Sequence, residues 1–583
     1  MPEHQINVGD VVLVSRKHPL KDAVEGAVFE KGKNFITVLL GQKLPPSKSY
    51  RIDLYVNDIT FKRMIGTLEL FEKGYSLFDD EVVLGHKNPD FRSENINFEP
   101  FNKKLNKFQL EAVEKALKAE ELFLIHGPPG TGKTTTLAEV IYQHTKKGLK
   151  CLATADSNTA VDNIAEKLLN MNLKIVRIGH PARLRPELLD QSLDKKITEH
   201  KDYVKIKQIN NQIEKLRDKQ ENYIKPTAQR RRGLTYEEII KYAKEGKKVR
   251  GYKVEKLQSM AKWIEIQKEI VSLAKERDKI QESIIKDIIE NAQVVLSTNT
   301  GSQSDFLKDY TFDCIFVDEA AQATEPSCLM PLIKGKKVVM AGDHKQLPPT
   351  ILNPEAKALS FTMFERFTKL YPEVVYMLKI QYRMNEKIML FSSINFYNGQ
   401  LIADESVKNI KLSDLTGKTG KTPISNDTPV VFIDTEGKFL EKEKKGSKSK
   451  YNPKEGKLVK KAIDELKEIG INPKDIGVIT PYKDHEDYLK KLINDVEIKT
   501  VDGFQGREKE IIIISLVRSN PNEEIGFLDD ERRLNVAITR AKRKLIVIGD
   551  ANTLKSTSIY GRLIKYISEN GEYVKISDLN YTF

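Results

Sequence analysis

Residues 122–135 read LFLIHGPPGTGKTT and carry the strongest fold signal in the chain. The apolar run from Leu122 predicts a buried strand, and TLAEVIYQHTKKG from Thr136 has the spacing of an amphipathic helix. Between them, Gly127 to Thr134 fits G-x-x-x-x-G-K-[ST] in the strand–loop–helix context that confirms a phosphate loop. Glycines let backbone N–H groups surround phosphates, and the helix N-terminus adds partial positive charge. The stretch therefore predicts an α/β domain that binds a nucleoside triphosphate.

Two acids at the end of a later strand complete the predicted phosphate site. The run CIFVDE, which begins at Cys314, is an apolar strand that ends in Asp318 and Glu319. Lys133 is expected to reach the β- and γ-phosphates, and Thr134 and Asp318 are expected to hold Mg²⁺. Glu319 is expected to orient and polarise the attacking water. These two motifs predict an NTPase, but they are shared with kinases, GTPases and transporters and do not establish a motor.

Three later segments indicate a second domain that senses the γ-phosphate. In GDHKQLPP, which follows the strand KKVVMAGD, Gln346 is placed to contact the γ-phosphate or the attacking water. The segments QYRM and RRLNVAITR each offer an arginine. Arg383 and Arg540 are predicted to act as arginine fingers, a contribution of about 10³ to 10⁵ in rate in other phosphoryl-transfer enzymes. Such groups would let hydrolysis open and close a cleft between two domains.

The alternation of strands and helices gives the predicted domain organisation. Residues 96–185 and 291–370 carry one α/β set and residues 371–583 a second, which predicts two domains with parallel sheets. Residues 1–95 alternate short apolar runs with turns and predict a small antiparallel β-barrel, either a nucleic-acid binder or only a packing module. The runs in question are GDVVLVSRK, EGAVFEKGKNFITVLL, YRIDLYVND and MIGTLELF.

Residues 186–290 interrupt the first α/β set and predict an inserted antiparallel helical arm. Isoleucine and leucine recur there at heptad-like spacing with charged residues between them. The middle of the segment contains KPTAQRRRG and KEGKKVRGYK, a very basic tip that includes Tyr252. Two interpretations stay open for this tip: a solvated helical hairpin, or a nucleic-acid contact in which arginines neutralise phosphates. The arginines concerned are Arg230, Arg231, Arg232 and Arg250.

Composition narrows the class of protein. Lysine plus arginine (96) exceeds aspartate plus glutamate (83) by 13, which favours a polyanionic partner. We find no apolar run near the ~20 residues that cross a bilayer and no signal-peptide pattern, so we expect a cytoplasmic, soluble protein without a membrane partner. The three cysteines are too few and too scattered for a disulfide framework or a structural zinc site. They are Cys151, Cys314 and Cys328.

The ordered set of motifs resembles the superfamily 1 helicases and, within them, the up-frameshift and immunoglobulin-mu-binding group. The resemblance implies two RecA-like domains, ATP with Mg²⁺, and 5′→3′ movement on single-stranded DNA or RNA coupled to duplex unwinding. We expect a monomer with an α/β fold, the N-terminal barrel and the inserted arm as accessory elements. The matching pieces span residues 105–550 and are LNKFQLEAV, GPPGTGKTTT, DSNTAVDN, RIGHPARL, VDEAAQATEP, GDHKQLPP, QYRMN, ITPY, TVDGFQGREKEIIIIS and RRLNVAITRAKRKLIVIGD.

The resemblance also implies roles for individual residues. Gln109 resembles the glutamine that reads adenine, Tyr382 the ring that stacks near the base, and Glu508 the acid near the ribose. The nucleotide is expected to contact Gly127, Pro128, Pro129, Gly130, Thr131, Gly132, Lys133, Thr134 and Thr135. Residues in segments that grip the nucleic-acid backbone are Ser157, Asn158, Thr298, Asn299, Thr480, Pro481, Tyr482 and Thr500. Their hydroxyl, amide and backbone donors suit contacts that fix position without reading sequence.

The chain departs from the group in one motif, and its function has alternatives. In ITPYKDHEDYL the glutamine usual a few residues after the proline is missing, and His485 lies nearby. Besides a helicase, the same site would serve a nucleic-acid-dependent ATPase clamp that remodels ribonucleoprotein without separating strands. A switch whose protein partner docks on the arm is a third hypothesis. The sequence does not distinguish DNA from RNA, because that choice depends on a few 2′-hydroxyl contacts.

Overall fold

The computed structural model describes residues 6–581 except 7–9, 17, 19–22, 33–34, 41–43, 45, 48, 55–58, 95, 247–248, 250, 352, 445, 448, 505 and 580, and of Phe527 it describes only the backbone. Arg250, one of the four arginines predicted at the arm tip, is therefore outside the described residues. The chain forms two compact units. The first comprises Met1–Ile59 and Leu168–Asp309, and the second comprises Thr60–Lys167 and Tyr310–Phe583.

An antiparallel sheet opens the first unit, as the alternating pattern predicted. Its strands are Val11–Ser15, Val24–Lys31, Ile36–Leu40 and Arg51–Leu54, and the third, second, first and fourth lie side by side in that order. Val12, Val14 and Val28 are buried together on one face. The two outer strands do not pair with each other within the described residues, so closure into a barrel stays a prediction.

The last of the four runs predicted as strands is helical instead. MIGTLELF lies within the helix Ile59–Glu72, so the strand prediction there is wrong. The side chains that turn away from solvent are Met64, Thr67 and Phe71. Their 3–4 spacing matches one face of a helix, whereas a half-buried strand requires strict alternation.

The predicted helical arm is confirmed in the first unit. Its long helices are Tyr203–Glu221 and Val254–Asn291, with the short helices Leu193–Glu199, Ala228–Arg231 and Tyr236–Lys244 around them. The two long helices run antiparallel, because the hydrogen-bonded pairs within and just beyond the ends of the first helix have numbers that rise on one side and fall on the other. These pairs are His200 with Asp287, Gln220 with Gln267, and Ile224 with Ser259. The seam buries Ile209, Ile213, Ile266 and Ile270.

Parallel strands form the centre of the first α/β set, most of which lies in the second unit. There Val375–Met377, Leu122–His126, Gly335–Gly342, Phe312–Asp318 and Cys151–Ala155 lie side by side in that order. The first of these strands extends the sheet past the domain boundary that we predicted at residue 370. The strands Ile175–Arg177 and Val294–Thr298, which pair with each other, belong to the first unit. Flanking helices are Lys107–Lys118, Lys133–Lys146, Asn158–Leu169, Glu325–Leu332 and Met363–Leu370.

A second parallel sheet follows in the same unit. Its strands lie in the order Glu497–Thr500, Ile476–Thr480, Lys509–Ser515, Ala541–Gly549, Val430–Asp434 and Glu572–Lys575. Both faces are covered: Ile512 and Ile514 join one apolar cluster, and Ile511 and Ile513 join the other. The continuous isoleucine run of EIIIISLV is typical of such a doubly covered strand. The main helices are Glu386–Phe396, Pro453–Glu468, Lys483–Leu492, Glu531–Ile538 and Ser558–Asn570.

The register of the first sheet brings the predicted motifs to one edge. His126, the residue before the phosphate loop, lies beside Gly342, and Ala155 lies beside Asp318. Parallel strands end at the same edge, which is where ligands bind in open α/β sheets. None of the helices in the described residues combines the length and the apolar content required to span a bilayer.

Candidate nucleotide site

The phosphate loop adopts a backbone that only glycine accepts readily at two positions. Gly130 and Gly132 have φ of +77° and +80°, in the left-handed region. The loop is closed by the Thr131 hydroxyl, which donates to the Pro128 carbonyl at 2.7 Å. The helix Lys133–Lys146 begins directly after Gly132. Free backbone N–H groups of this first turn therefore point into the loop, as anion binding requires.

The acid pair lies against the start of that helix. The Thr134 hydroxyl donates to Asp318 Oδ2 at 2.8 Å, and Lys133 Nζ lies 3.8 Å from Glu319 Oε1. Glu319 has a positive φ of 50°, which is unusual for a residue with a side chain. Gln322 Nε2 donates to Glu319 Oε2 at 2.8 Å and fixes the carboxylate further. This strained and anchored position is expected of a group whose orientation matters to chemistry.

Thr134 and Asp318 fit Mg²⁺ by the nature of their donors. Mg²⁺ prefers oxygen ligands and is usually held by one or two carboxylates together with substrate phosphates. The hydroxyl and carboxylate oxygens already touch each other, so a cation inserted between them would meet two oxygen donors. Burial and the neighbouring Glu319 carboxylate raise the pKa of Asp318 to about 6. A divalent cation would offset both effects and keep this carboxylate ionised.

One cavity of about 460 Å³ collects the predicted nucleotide residues. From the first α/β set it is lined by the phosphate loop from Pro128 to Thr135, by Glu319 and by Gln346. The second set contributes Arg540 and Glu508, and the segment between the sheets contributes Tyr382 and Arg383. The structure therefore brings together residues that are several hundred positions apart in the chain. Gln109 and Asp318 do not line this cavity directly, although each contacts a residue that does.

The two predicted arginine fingers point into this cavity region and are each held by a neighbour. Arg383 Nη2 donates to Glu508 Oε2 at 2.9 Å, and Arg540 Nη2 donates to Gln346 Oε1 at 3.2 Å. Burial, together with Arg383, lowers the pKa of Arg540 to about 9, and burial also lowers the pKa of Arg383. Two desolvated cations that disfavour each other's charge favour a multiply charged anion between them. A triphosphate is such an anion.

Gln109 and Tyr382 both contact the phosphate loop, through the carbonyls of Thr131 and Gly130. Gln109 is buried, and its Nε2 donates to the Thr131 carbonyl at 3.0 Å while its Oε1 accepts from the Asn106 N–H. The Tyr382 hydroxyl accepts from Asn106 Nδ2 at 2.9 Å, and the residue as a whole is 40% exposed. The exposed ring is available to stack on a base. The amide of Gln109 is committed to the loop, so adenine reading by this residue stays a proposal.

A buried polar cluster behind Gln346 was missed by sequence reasoning. Asp343 Oδ1 accepts from His126 Nε2 at 3.0 Å, and Oδ2 accepts from Gln346 Nε2 at 2.8 Å and from the Tyr397 hydroxyl at 2.8 Å. The Tyr397 hydroxyl in turn accepts from Asn535 Nδ2 at 2.9 Å. Since the Gln346 amide nitrogen is held by Asp343, its oxygen faces Arg540. The cluster thus fixes which end of Gln346 faces the second domain.

The surroundings of this cluster shift the pKa values of Asp343 and Tyr397. Burial opposes ionisation of Asp343, but the hydrogen bonds from His126 and Gln346 and the nearby positive charge of Lys133 together outweigh it. The pKa of Asp343 therefore stays well below its usual range. Burial beside Asp343 holds the pKa of Tyr397 well above its usual range, so this hydroxyl remains a donor. A signal for His126 existed in the sequence, because a histidine closes an otherwise apolar strand. Tyr397 had no such signal.

Predicted nucleic-acid contacts in the second unit differ in accessibility. Ser157 is exposed, and its hydroxyl accepts from the Ala160 N–H at 3.2 Å at the start of a helix. Thr480 and Tyr482 are buried, and the Tyr482 hydroxyl accepts from Arg518 at 3.3 Å. Half-buried residues of this set are Asn158, Pro481 and Thr500, and the Thr500 hydroxyl accepts from the Gly503 N–H at 3.4 Å. Their contact with nucleic acid stays a proposal.

In the first unit, Thr298 and Asn299 end a parallel strand. The Thr298 hydroxyl accepts from the Gly301 N–H at 3.0 Å, and Asn299 is buried at the start of a short 3₁₀ turn. The Thr298 side chain and the Asn299 backbone carbonyl, which accepts from the Ser302 hydroxyl at 2.6 Å, stabilise the turn that follows the strand. A role in gripping a nucleic-acid backbone stays a proposal for this pair as well.

His485, which stands near the missing glutamine, is part of the protein interior. It is fully buried, its Nδ1 accepts from the Asn452 N–H at 3.2 Å, and its Nε2 lies 2.9 Å from the Ser515 hydroxyl. Ser515 donates to Glu455 Oε2 at 2.6 Å. Burial lowers the pKa of His485 to about 3 and raises the pKa of Glu455 to about 8. The histidine therefore stays neutral and holds the core of the second α/β domain together.

The fold and the cavity define a class of protein. A phosphate loop and an acid pair on one parallel sheet are faced by two arginines from outside that sheet, around one triphosphate-sized cavity. This arrangement is that of a P-loop nucleoside triphosphatase with two RecA-like domains.

Comparisons with known proteins identify the family. Family models described as AAA domain match residues 104–354 and 359–552. An uncharacterized ATP-dependent helicase of Methanocaldococcus jannaschii is 46% identical, over 96% of this chain and 86% of that protein. DNA-binding protein SMUBP-2 of Mesocricetus auratus is 36% identical, over 98% of this chain and 56% of that protein. DNA polymerase alpha-associated DNA helicase A of Schizosaccharomyces pombe is 36% identical, over 98% of this chain and 85% of that protein.

The chain belongs to the superfamily 1 helicases of the up-frameshift-like group, as its motifs predicted. It is an ATP-dependent enzyme of that family. The expected α/β fold with two parallel-sheet domains is confirmed by the structure.

Proposed function

We propose that this helicase moves 5′→3′ on single-stranded DNA or RNA and couples the hydrolysis of Mg²⁺-bound ATP to duplex unwinding. The observation that supports the proposal most is the shared cavity, in which Lys133 and Glu319 of one α/β domain face Arg540 of the other. A nucleotide in this position contacts both domains at once. Its hydrolysis therefore changes how strongly the domains attract each other.

The residues of the cavity divide the chemistry between them. Mg²⁺, held by Thr134 and Asp318, would neutralise charge on the β- and γ-phosphates. Glu319 accepts the proton of a water whose oxygen attacks the γ-phosphorus, and the bond to the β-phosphate oxygen breaks to leave ADP and phosphate. Lys133, Arg383 and Arg540 stabilise the negative charge of the transition state.

Loss of the γ-phosphate is the step that would drive movement. Arg540 and Gln346 already touch at 3.2 Å across the two domains, and both line the cavity. When the γ-phosphate leaves, the arginines lose their anionic partner and the like charges on Arg383 and Arg540 face each other again. The attraction between the domains then weakens. A strand held by residues such as Ser157 on one domain and Thr500 on the other would advance as the domains part and close.

A test of the proposal combines ATPase and strand-displacement assays. We expect single-stranded DNA or RNA to increase ATP turnover, and Lys133→Ala and Glu319→Gln to abolish it. Lys147→Ala, an exposed lysine at the end of the same helix, is the matched control and is expected to match the unaltered chain. Displacement of a strand from duplexes with a 5′ tail, but not a 3′ tail, would support the direction.

The same experiments separate the alternatives. Nucleic-acid-stimulated ATPase without strand displacement on any tailed duplex would favour a clamp that remodels ribonucleoprotein. ATP turnover that is indifferent to every nucleic acid tested would contradict the proposal altogether. Matched DNA and RNA substrates identify the track, because discrimination rests on the 2′-hydroxyl.

A further inference from the structure

We propose that the tip of the helical arm carries a second nucleic-acid site, which binds a phosphate of single-stranded RNA or DNA outside the motor. This inference rests on the proposed function, since it assumes that a strand is the substrate. The site is a cavity of about 350 Å³ within the first unit, at the low end of the range of about 300–1,000 Å³ usual for ligand pockets. Its polar lining is Gln229, Arg230, Arg232, Tyr252 and Lys256.

The charge of this cavity is of one sign. Arg230, Arg232 and Lys256 contribute three cations, and no acidic side chain lines it among the described residues. Elsewhere on the arm, lysines are interspersed with acids, for example in EIQKEIVSLAKERDKIQE. A solvated hairpin does not require three cations to converge on one concave surface, because like charges repel. A polyanion would stabilise the arrangement.

Two details of the cavity indicate that it is shaped for a ligand. The Tyr252 hydroxyl oxygen is buried and has no hydrogen-bond partner in the part of the chain that the structure describes. A buried hydroxyl without a partner costs free energy unless a ligand or water supplies one. Arg232 has a left-handed backbone with φ of 43°, a conformation that favours glycine, and a glycine follows directly. This backbone places Arg232 so that it donates to the Gly251 carbonyl at 3.1 Å and lies over the Tyr252 ring.

Aromatic rings interleave with the cations, which points to a single strand and not to a free anion. Arg231 lies 5.3 Å from the Tyr236 ring, Arg232 lies 5.8 Å from Tyr252, and Lys225 lies 5.9 Å from Trp263. Single-stranded nucleic acids are bound by cations that follow the backbone and by rings that stack on bases. Tyr236 is 42% exposed and offers such a ring beneath Arg231, the residue between the two arginines that line the cavity.

The chain supplies its own reporter for this site. Trp263 is the only tryptophan in the sequence, and its ring packs in the same apolar cluster as Tyr252 and Met260. Met260 also lines the cavity. Tryptophan emission of the unaltered full-length chain therefore reports on the arm tip and not on the nucleotide site. We expect single-stranded oligonucleotides of mixed sequence to quench or shift this emission.

The decisive comparison is between two triple variants of the full chain. The first triple variant removes the cations of the cavity and combines Arg230→Ala, Arg232→Ala and Lys256→Ala. It is expected to abolish the change in Trp263 emission on adding oligonucleotide. It should also lower the slope of log affinity against log salt by about 0.7, the contribution of one neutralised phosphate on a single strand. The control variant removes three exposed lysines from the long helix Val254–Asn291, which also carries Lys256. It should leave both the emission change and the salt slope as they are in the unaltered chain. These lysines are Lys268, Lys275 and Lys279.

Other outcomes are equally informative. Equal salt slopes and equal emission changes in the two triple variants would overturn the second site, as would emission that ignores oligonucleotides altogether. If tripolyphosphate reproduces the whole effect and oligonucleotides bind no better, the cavity is an anion site and not a strand site. ATPase stimulation of the unaltered chain is measured in parallel. Its absence counts against the proposed function, whereas stimulation without any Trp263 response counts against the arm-tip site alone.

Discussion

Replacing Tyr397 by phenylalanine should reduce ATP turnover without unfolding the protein. The hydroxyl of this residue donates to Asp343 at 2.8 Å and accepts from Asn535 at 2.9 Å, and it is buried between the two α/β domains. Phenylalanine keeps the ring and its packing, so the change removes two hydrogen bonds and little else. Asp343 then loses one of the donors that hold the carboxylate against Gln346.

The expected magnitude follows from those two bonds. Leaving a buried partner unsatisfied costs about 1–3 kcal/mol, and the value is toward the upper end for a charged acceptor. If about 2 kcal/mol of this is lost where Gln346 is held for the transition state, kcat falls about 30-fold. The phosphate loop is untouched, so KM for ATP should change little. This pattern is that of an interaction made mainly in the transition state.

Tyr566→Phe provides the matched control. Its hydroxyl also donates one hydrogen bond, to the Lys387 carbonyl at 2.6 Å, but it lies away from the nucleotide cavity. Steady-state ATPase with saturating single-stranded nucleic acid and thermal unfolding are measured for both variants. The reasoning is refuted if the two variants lose the same thermal stability while Tyr397→Phe retains the kcat of the unaltered chain.

Three further predictions concern other parts of the second unit. Gly130→Ala should lower ATPase activity, and it should lower the free energy of unfolding in urea by about 1 kcal/mol or more. The reason is that the new Cβ would lie 2.7 Å from Arg383 Cβ, at a position whose φ is +77°. Unchanged activity and stability would contradict the role of this contact. Arg540→Ala should reduce kcat by about 10³ while ADP binding, followed with a fluorescent analogue, stays the same; a parallel loss of ADP binding would exclude a selective γ-phosphate role. Burial raises the pKa of Glu455 to about 8, so the folded state holds an extra proton and stability falls as pH rises from about 4.5 to 8. His485, with a pKa near 3, opposes this below about 6.5, and Lys544, whose pKa burial lowers to about 7, opposes it above about 7. Melting curves should therefore show that the unaltered chain loses more stability than Glu455→Gln between about pH 6.5 and 8.

Much of the nucleotide site could be predicted from the sequence because its parts are local. The phosphate loop needs its glycines, lysine and threonine within eight positions, and the strand and helix that hold it are adjacent in the chain. The acid pair, Gln346 and Arg540 likewise lie in short motifs at strand or helix ends. The arm could be predicted for the same reason, since heptad spacing specifies a seam between neighbouring helices.

Other features depend on contacts between residues that are distant in the chain. Asp343 meets His126 across 217 positions, and Tyr397 meets Asn535 across 138, and no local pattern records either pair. The helix at 59–72 replaced a predicted strand because the run MIGTLELF is rich in apolar residues without strict alternation. Only the fold shows that its less exposed side chains recur at 3–4 spacing. His485 shows the same limit: its neutral, structural role follows from the Ser515 and Glu455 groups that folding buries beside it. Short-range sterics and periodicity specify motifs and elements, whereas burial and long-range pairing specify which polar groups share a cavity.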